Sequence, residues 1–136
     1  MAASVLVDAA YLIALLSRRD THHAWAAVQT REFARPWSTC EAVLSEAFHF
    51  LGPAGAPALR AMLQRRALLV AFDLGQHIEP VLKIMQKYAD VPMSLADACL
   101  VRMTEAFSET LILTTDADFR VYRRHSRHIV PCRMPD

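Results

Sequence analysis

Short, continuous apolar runs alternate with stretches of helical spacing along this chain, and that alternation limits its fold more than any other feature. Ser4 to Val7 reads as a buried strand, Arg35 to Thr39 as a short one, Leu68 to Phe72 as a central or near-central one, Thr110 to Leu113 as the clearest late one, and His128 to Val130 as the last. Between them, helical spacing covers Tyr11 to Ser17, Thr21 to Thr30, Glu41 to Leu51, Ala56 to Arg66, Gly75 to Tyr88, Ser94 to Phe107 and a short stretch from Phe119 to Arg124. From Glu41 onward, Val43, Leu44, Ala47, Phe48 and Leu51 share one helical stripe, which Gly52 and Pro53 close. Alternation of this kind predicts an α/β fold, a parallel sheet with helices on both faces.

At 136 residues and 54% hydrophobic, the chain fits one compact domain with one sizeable core, residues 1–136. Cys40, Cys99 and Cys132 are odd in number, widely spaced and free of any CxxC pair, so neither a disulfide framework nor a structural zinc site is expected, and the chain reads as cytoplasmic. The apolar start VLVDAAYLIALL is rejected as a signal peptide: Asp8 interrupts it, no basic region precedes it, and Arg18 and Arg19 stand where small cleavage-site residues belong. No uninterrupted apolar run reaches the roughly 18 residues of a membrane span.

Four short strand-like apolar segments of the chain share a second property, for each ends in or runs into an acid. Asp8 closes VLVD, Glu41 and Glu46 follow WSTC, Asp97 sits in PMSLADACL, and Asp116 and Asp118 follow LILTT. In open α/β sheets the ligand site lies beyond the carboxyl ends of the strands, so Asp8, Asp97 and Asp116 are expected on one rim. Two like charges about 4 Å apart at an effective dielectric near 20 repel by roughly 4 kcal/mol. Three or four together would raise their pKa values and protonate part of the set. A hard divalent cation removes that cost, and magnesium and manganese, which prefer oxygen ligands and keep several waters, suit phosphate substrates. The leading expectation is a phosphodiester nuclease.

Each acid also has a local explanation. Ser94 with Asp97 three positions later resembles a capping box, as does Ser38 with Glu41, and for Glu41 the cap is the preferred reading. Asp116 and Asp118 can build an Asx-type turn, the preferred reading for Asp118. Asp8 ends a buried strand with no evident cap to make and therefore needs a partner. His22 and His23, after Asp20, read as a surface helix start, and Trp25, Trp37 and Tyr122 as core or interface residues.

A formal net charge of +1 carries no global nucleic-acid signature. Positive charge is concentrated late in the chain, at Arg120, Arg123, Arg124, Arg127 and Arg133 with His125 and His128. A solvated or partner-facing surface and a phosphate contact explain that cluster equally well.

In order, LVDAAYLIALL, TCEAVLSEA, SLADACLV and LTTDADF resemble the PIN-domain ribonucleases, and in particular the VapC-like toxins of bacterial type II toxin-antitoxin modules. The likeness covers almost the whole chain. It implies a three-layer α/β/α sandwich, commonly a homodimer, whose antitoxin partner blocks an acidic pocket. By the same likeness Asp8, Asp97 and Asp116 match the family's metal-site acids, and Glu46 rather than Glu41 best matches its glutamate.

The function expected is Mg2+- or Mn2+-dependent hydrolysis of RNA, with Asp8, Glu46, Asp97 and Asp116 as the catalytic set and Asp8, Asp97 and Asp116 at the metal. The competing reading is a non-catalytic PIN module that binds RNA or a partner protein. Two other acid-rimmed α/β classes fit poorly. A receiver domain needs a lysine after its late strands, whereas Lys83 and Lys87 lie upstream. A haloacid-dehalogenase-type phosphatase needs Asp-x-Asp after its first strand, where Asp8 is followed by Ala9 and Ala10.

Overall fold

The computed structural model describes residues 4–136. Five strands form one parallel sheet in the order β3 (Leu68–Val70), β2 (Trp37–Thr39), β1 (Ser4–Val7), β4 (Thr110–Leu113) and β7 (Cys132–Arg133). β1 is central, with Leu6 opposite Ser38 on one side and Val7 opposite Leu113 on the other. Its Leu6 and Val7 are fully buried, as a strand covered on both faces requires. Across the sheet, the Thr39 hydroxyl donates to the Val7 carbonyl at 2.9 Å.

Helices flank this sheet: α1 (Ala9–Leu16), α2 (His23–Glu32), α3 (Glu41–Gln64), α4 (Ile78–Lys87) and α5 (Leu95–Ala106). α1 packs on α2 and α3, and α5 packs on α3 and α4. The α/β architecture expected from the alternation is therefore present, with all the sheet's strand pairs parallel. Under α1, Tyr11 stands edge-on to both Trp25 and Trp37, and its hydroxyl donates to the Ala26 carbonyl at 2.8 Å.

Several elements differ from the sequence expectation. The stretch from Gly75 opens as a 3-10 turn, Leu74–Gln76, capped by Asp73, and α4 begins only at Ile78. Gly52 does not end a helix outright: at φ 62°, ψ −167° it kinks α3, and helix resumes at Pro53 rather than Ala56. Only glycine adopts that backbone region readily, and proline suits the first position of the renewed helix. The stretch Phe119 to Arg124 is not one helical segment but a 3-10 turn, Ala117–Arg120, followed by the strand β5 (Arg123–Arg124). His128 to Val130 does not close the main sheet either. β6 (His128–Ile129) pairs antiparallel with β5 in a separate hairpin, and β7 takes the edge place beside β4.

The hairpin explains much of the late basic cluster. Arg123 donates to the carbonyls of Arg120, Val121 and Tyr122, Arg124 to the carbonyl of Thr104, and Arg133 pairs with Glu32 at 3.0 Å. These three guanidiniums fasten the hairpin and the edge strand; Arg120 and Arg127 are exposed, and their guanidiniums make no such bond among the described residues.

Candidate active site at the carboxyl rim of the sheet

Asp8 follows the last residue of β1 and is the N-cap of α1, its Oδ1 accepting from the Tyr11 N–H at 2.8 Å. The local cap that the sequence did not reveal is thus present. Its Oδ2 accepts from the Thr114 hydroxyl, at the end of the neighbouring strand β4. Asp8 is only 4% exposed, and burial pushes its carboxyl up to about 7. The Thr114 and Tyr11 hydrogen bonds oppose that rise, while the charges of Asp97 and Asp116 add to it.

Thr114 links two of the acids. The same oxygen that donates to Asp8 accepts from the Asp116 N–H at 2.9 Å. Asp116 in turn caps the 3-10 turn, its Oδ1 accepting from the Asp118 N–H at 2.9 Å, so the Asx-type turn read from the sequence is formed. Asp118 presents its backbone to this turn, and its carbonyl accepts from Val121 and Tyr122.

Asp97 lies in the first turn of α5, and its N–H donates to Ser94 Oγ at 3.0 Å, the expected cap. That cap uses the backbone of Asp97 and leaves its carboxylate free. Oδ2 accepts from the Tyr122 hydroxyl at 3.0 Å. Burial pushes the Asp97 carboxyl up to about 6, the Tyr122 bond opposes it, and Asp116 and Glu46 add repulsion. Tyr122 is fully buried, and burial first, then the Asp97 charge, raises its phenol above the ordinary value, so it remains the donor.

Glu46 is half-buried on α3, near enough to Asp97 to repel it. Glu41 is exposed at the first position of α3, where Cys40 is the N-cap; the box with Ser38 is not formed, because the helix begins two residues too late for Ser38 to cap it. All four expected site residues, Asp8, Glu46, Asp97 and Asp116, therefore share one electrostatic neighbourhood, although they come from four elements. Tyr122, expected as a core or interface residue, is fully buried and also holds Asp97, and Thr114 holds Asp8 across the sheet. Neither residue type announces a partner so far away in the chain.

Among the described residues, no three His, Cys, Asp or Glu side chains are already drawn together closely enough to enclose an ion. The donor set still fits a hard cation. It consists of carboxylate oxygens, two of the carboxyls are held above their ordinary pKa by burial and mutual repulsion, and magnesium is bound through one or two carboxylates while it keeps several waters. Added positive charge would reverse both perturbations.

The PIN domain family model matches residues 5–124, and this chain belongs to the PIN domain family. Among solved structures, its fold is similar to the crystal structure of VapC20 from Mycobacterium tuberculosis, a sarcin-ricin loop cleaving toxin. The TM-score is 0.78 at 20% sequence identity, over 87% of this chain and 94% of that one. No protein of curated function matches. Among the described residues no helix is long and apolar enough to cross a membrane.

Proposed function

We propose that this PIN-domain protein is a divalent-metal-dependent ribonuclease, and that it serves as the toxin of a type II toxin-antitoxin pair. The observation that carries the reading is the electrostatic state of the rim. Asp8 and Asp97 are held near 7 and 6 by burial and by one another's neighbours, an arrangement that costs stability and has a use only if positive charge arrives there.

In this reading Asp8 and Asp97 hold a Mg2+ or Mn2+ ion, with Asp116 and Glu46 completing the site through water or a second ion. The metal would supply Lewis acidity toward a phosphodiester and a water of lowered pKa. The chain's own residues do the positioning. Tyr11 N–H and the Thr114 hydroxyl fix both oxygens of Asp8, and Tyr122 fixes one oxygen of Asp97. These bonds lower both carboxyl pKa values and so favour the ionised, ligating forms. Hydrolysis by water does not use the 2′-hydroxyl, so a preference for RNA would come from shape and single-strand presentation.

The toxin role is supported by the fold it shares with VapC20, itself a toxin that cleaves the sarcin-ricin loop. With it come the partners: an RNA substrate, a cognate antitoxin covering the acidic rim, and a second copy of the chain in a homodimer.

Magnesium-dependent cleavage of structured and single-stranded RNA, abolished by a chelator, tests the proposal. Asp8→Asn and Asp97→Asn should each remove most of that activity. Full cleavage by both variants overturns the metal roles, and RNA binding without any cleavage by the native chain favours the non-catalytic module instead.

A further inference from the structure

We infer that the cleft between α4 and the β5–β6 hairpin is an RNA-backbone site, holding phosphates that neighbour the cut rather than the phosphate that is cut. The inference rests on the reading of RNA as substrate and extends it to residues outside the acidic rim. Lys83 and Lys87 stand one turn apart on α4, so both ammonium groups share a face. Opposite them the hairpin brings Arg123 and Ser126, and with Tyr88 and Glu105 these residues line a space of about 70 Å³. That is the scale of a phosphate group and too small for a nucleoside. The cleft adjoins the rim. Tyr122, whose hydroxyl donates to Asp97, stands edge-on to Tyr88 at 5.2 Å, and the Tyr88 hydroxyl accepts from the Arg123 N–H at 2.8 Å. Two tyrosines thus separate the basic cleft from a proposed metal acid.

The charge of this surface suits a polyanion. Glu105, the acid that lines the cleft, is already engaged: Oε1 accepts from Arg102 at 3.3 Å and Oε2 from the His125 N–H at 2.7 Å. Lys87 uses one of its three ammonium protons on the Ser126 carbonyl, and Lys83 is exposed with no bond among the described residues. All three carbonyl bonds of the Arg123 side chain use Nη1, so the other two nitrogens of its fork carry none of them. Arg120, at the end of the 3-10 turn that Asp116 caps, and Arg127, in the hairpin turn, add exposed charge on the way from the rim. The turn itself has an unusual backbone. His125 and Ser126 both lie in the left-handed region, at φ 49° and 69°, which residues other than glycine avoid. Two contacts from other elements hold it there, Glu105 on the His125 N–H and Lys87 on the Ser126 carbonyl. A strained turn fastened from outside keeps one geometry, and this one keeps Arg127 exposed next to the Lys87 contact.

The test is the fluorescence anisotropy of a labelled single-stranded RNA titrated with the full-length Asp97→Asn chain in chelator, over a range of potassium chloride. Binding is then read whether or not the native chain is a nuclease. Lys83→Gln combined with Arg127→Gln should weaken binding about tenfold at low salt and flatten the slope of log affinity against log salt by about 1.4, at ~0.7 per lost phosphate contact. In the cleaving chain the same pair should raise KM and leave kcat, equally for RNAs of different sequence. Arg18→Gln combined with Arg19→Gln, beyond the end of α1 remote from Asp8, should change neither quantity. Loss of binding in the Lys83 and Arg127 pair, with no cleavage by the native chain, supports the site and refutes the nuclease reading. Unchanged affinity and slope in that pair, or an equal loss in the Arg18 and Arg19 pair, overturns the inference even if the native chain cuts RNA. Failure of the Asp97→Asn chain to bind RNA at all overturns it too.

Discussion

One hydroxyl, that of Thr114, donates to Asp8 Oδ2 and accepts from the backbone N–H of Asp116, joining β1 to the turn after β4 across 106 positions of sequence. The carboxylate at the end of the central strand is thus fixed by the same residue that shapes the next acid's turn. Several expectations rest on that coupling and on the burial around it.

Replacing Asp8 by Asn or by Ala separates its two tasks. An asparagine still caps α1 by accepting from the Tyr11 N–H, so Asp8→Asn should fold at least as stably as the metal-free native chain at neutral pH while losing most cleavage. Asp8→Ala loses the cap as well, at about 1 kcal/mol. Thermal unfolding of both variants beside an RNA cleavage assay checks this.

The Asp8 carboxyl is raised by folding from 3.8 to about 7, so the folded chain binds its proton more tightly than the unfolded chain does. Its contribution to stability is therefore fully present below about 4 and is lost as pH rises through 7, the reverse of an ordinary salt-bridged acid. Asp97, raised to about 6, acts in the same direction over a shorter span. Denaturant titrations of the chelator-treated protein should show stability falling from about pH 4 to about pH 7 and levelling off above that, by on the order of 4 kcal/mol from Asp8 at most. Millimolar Mg2+ should flatten the fall, and Asp8→Asn should remove most of it.

Tyr122 acts on Asp97 rather than on substrate. Tyr122→Phe deletes the hydroxyl that holds the Asp97 carboxyl down, so the acid limb of the pH-rate profile should move to higher pH. The deficit should be largest near pH 6 and shrink by pH 8. A uniform loss at every pH would mark Tyr122 as merely structural.

Gly52 carries the kink of α3 at φ 62°, ψ −167°, and a Cβ there would meet nothing within 4 Å. The cost of Gly52→Ala is thus backbone strain alone, about 1–3 kcal/mol. Urea unfolding should show a lower midpoint with an unchanged slope.

The helices and the first four strands of the sheet were legible because their signals are local: period, continuous apolar runs and end residues. Asp8, Asp97 and Asp116 were legible because strand ends must meet at the carboxyl rim of a parallel sheet. The late strands were not. Two-residue strands such as Arg123–Arg124 and Cys132–Arg133 have no period to read, and their pairing is decided by which edge of the sheet is open. Thr114 and Tyr122 escaped for a related reason, since each owes its role to a partner brought close only by the fold. The Ser38 to Glu41 box failed because three-residue spacing fixes a cap only when the helix starts where the pattern assumes, and α3 starts after Cys40.

The claim on which the rest depends is that the acids of β1, α3, α5 and the turn after β4 serve one divalent ion. Crystals soaked in manganese test it most directly, through the anomalous signal of the ion. The account predicts a peak bonded to Asp8 or Asp97 oxygens, with Asp116 and Glu46 reached directly or through water, and none in an Asp97→Asn crystal. An empty rim at saturating manganese, or a peak bound elsewhere on the chain, would contradict it.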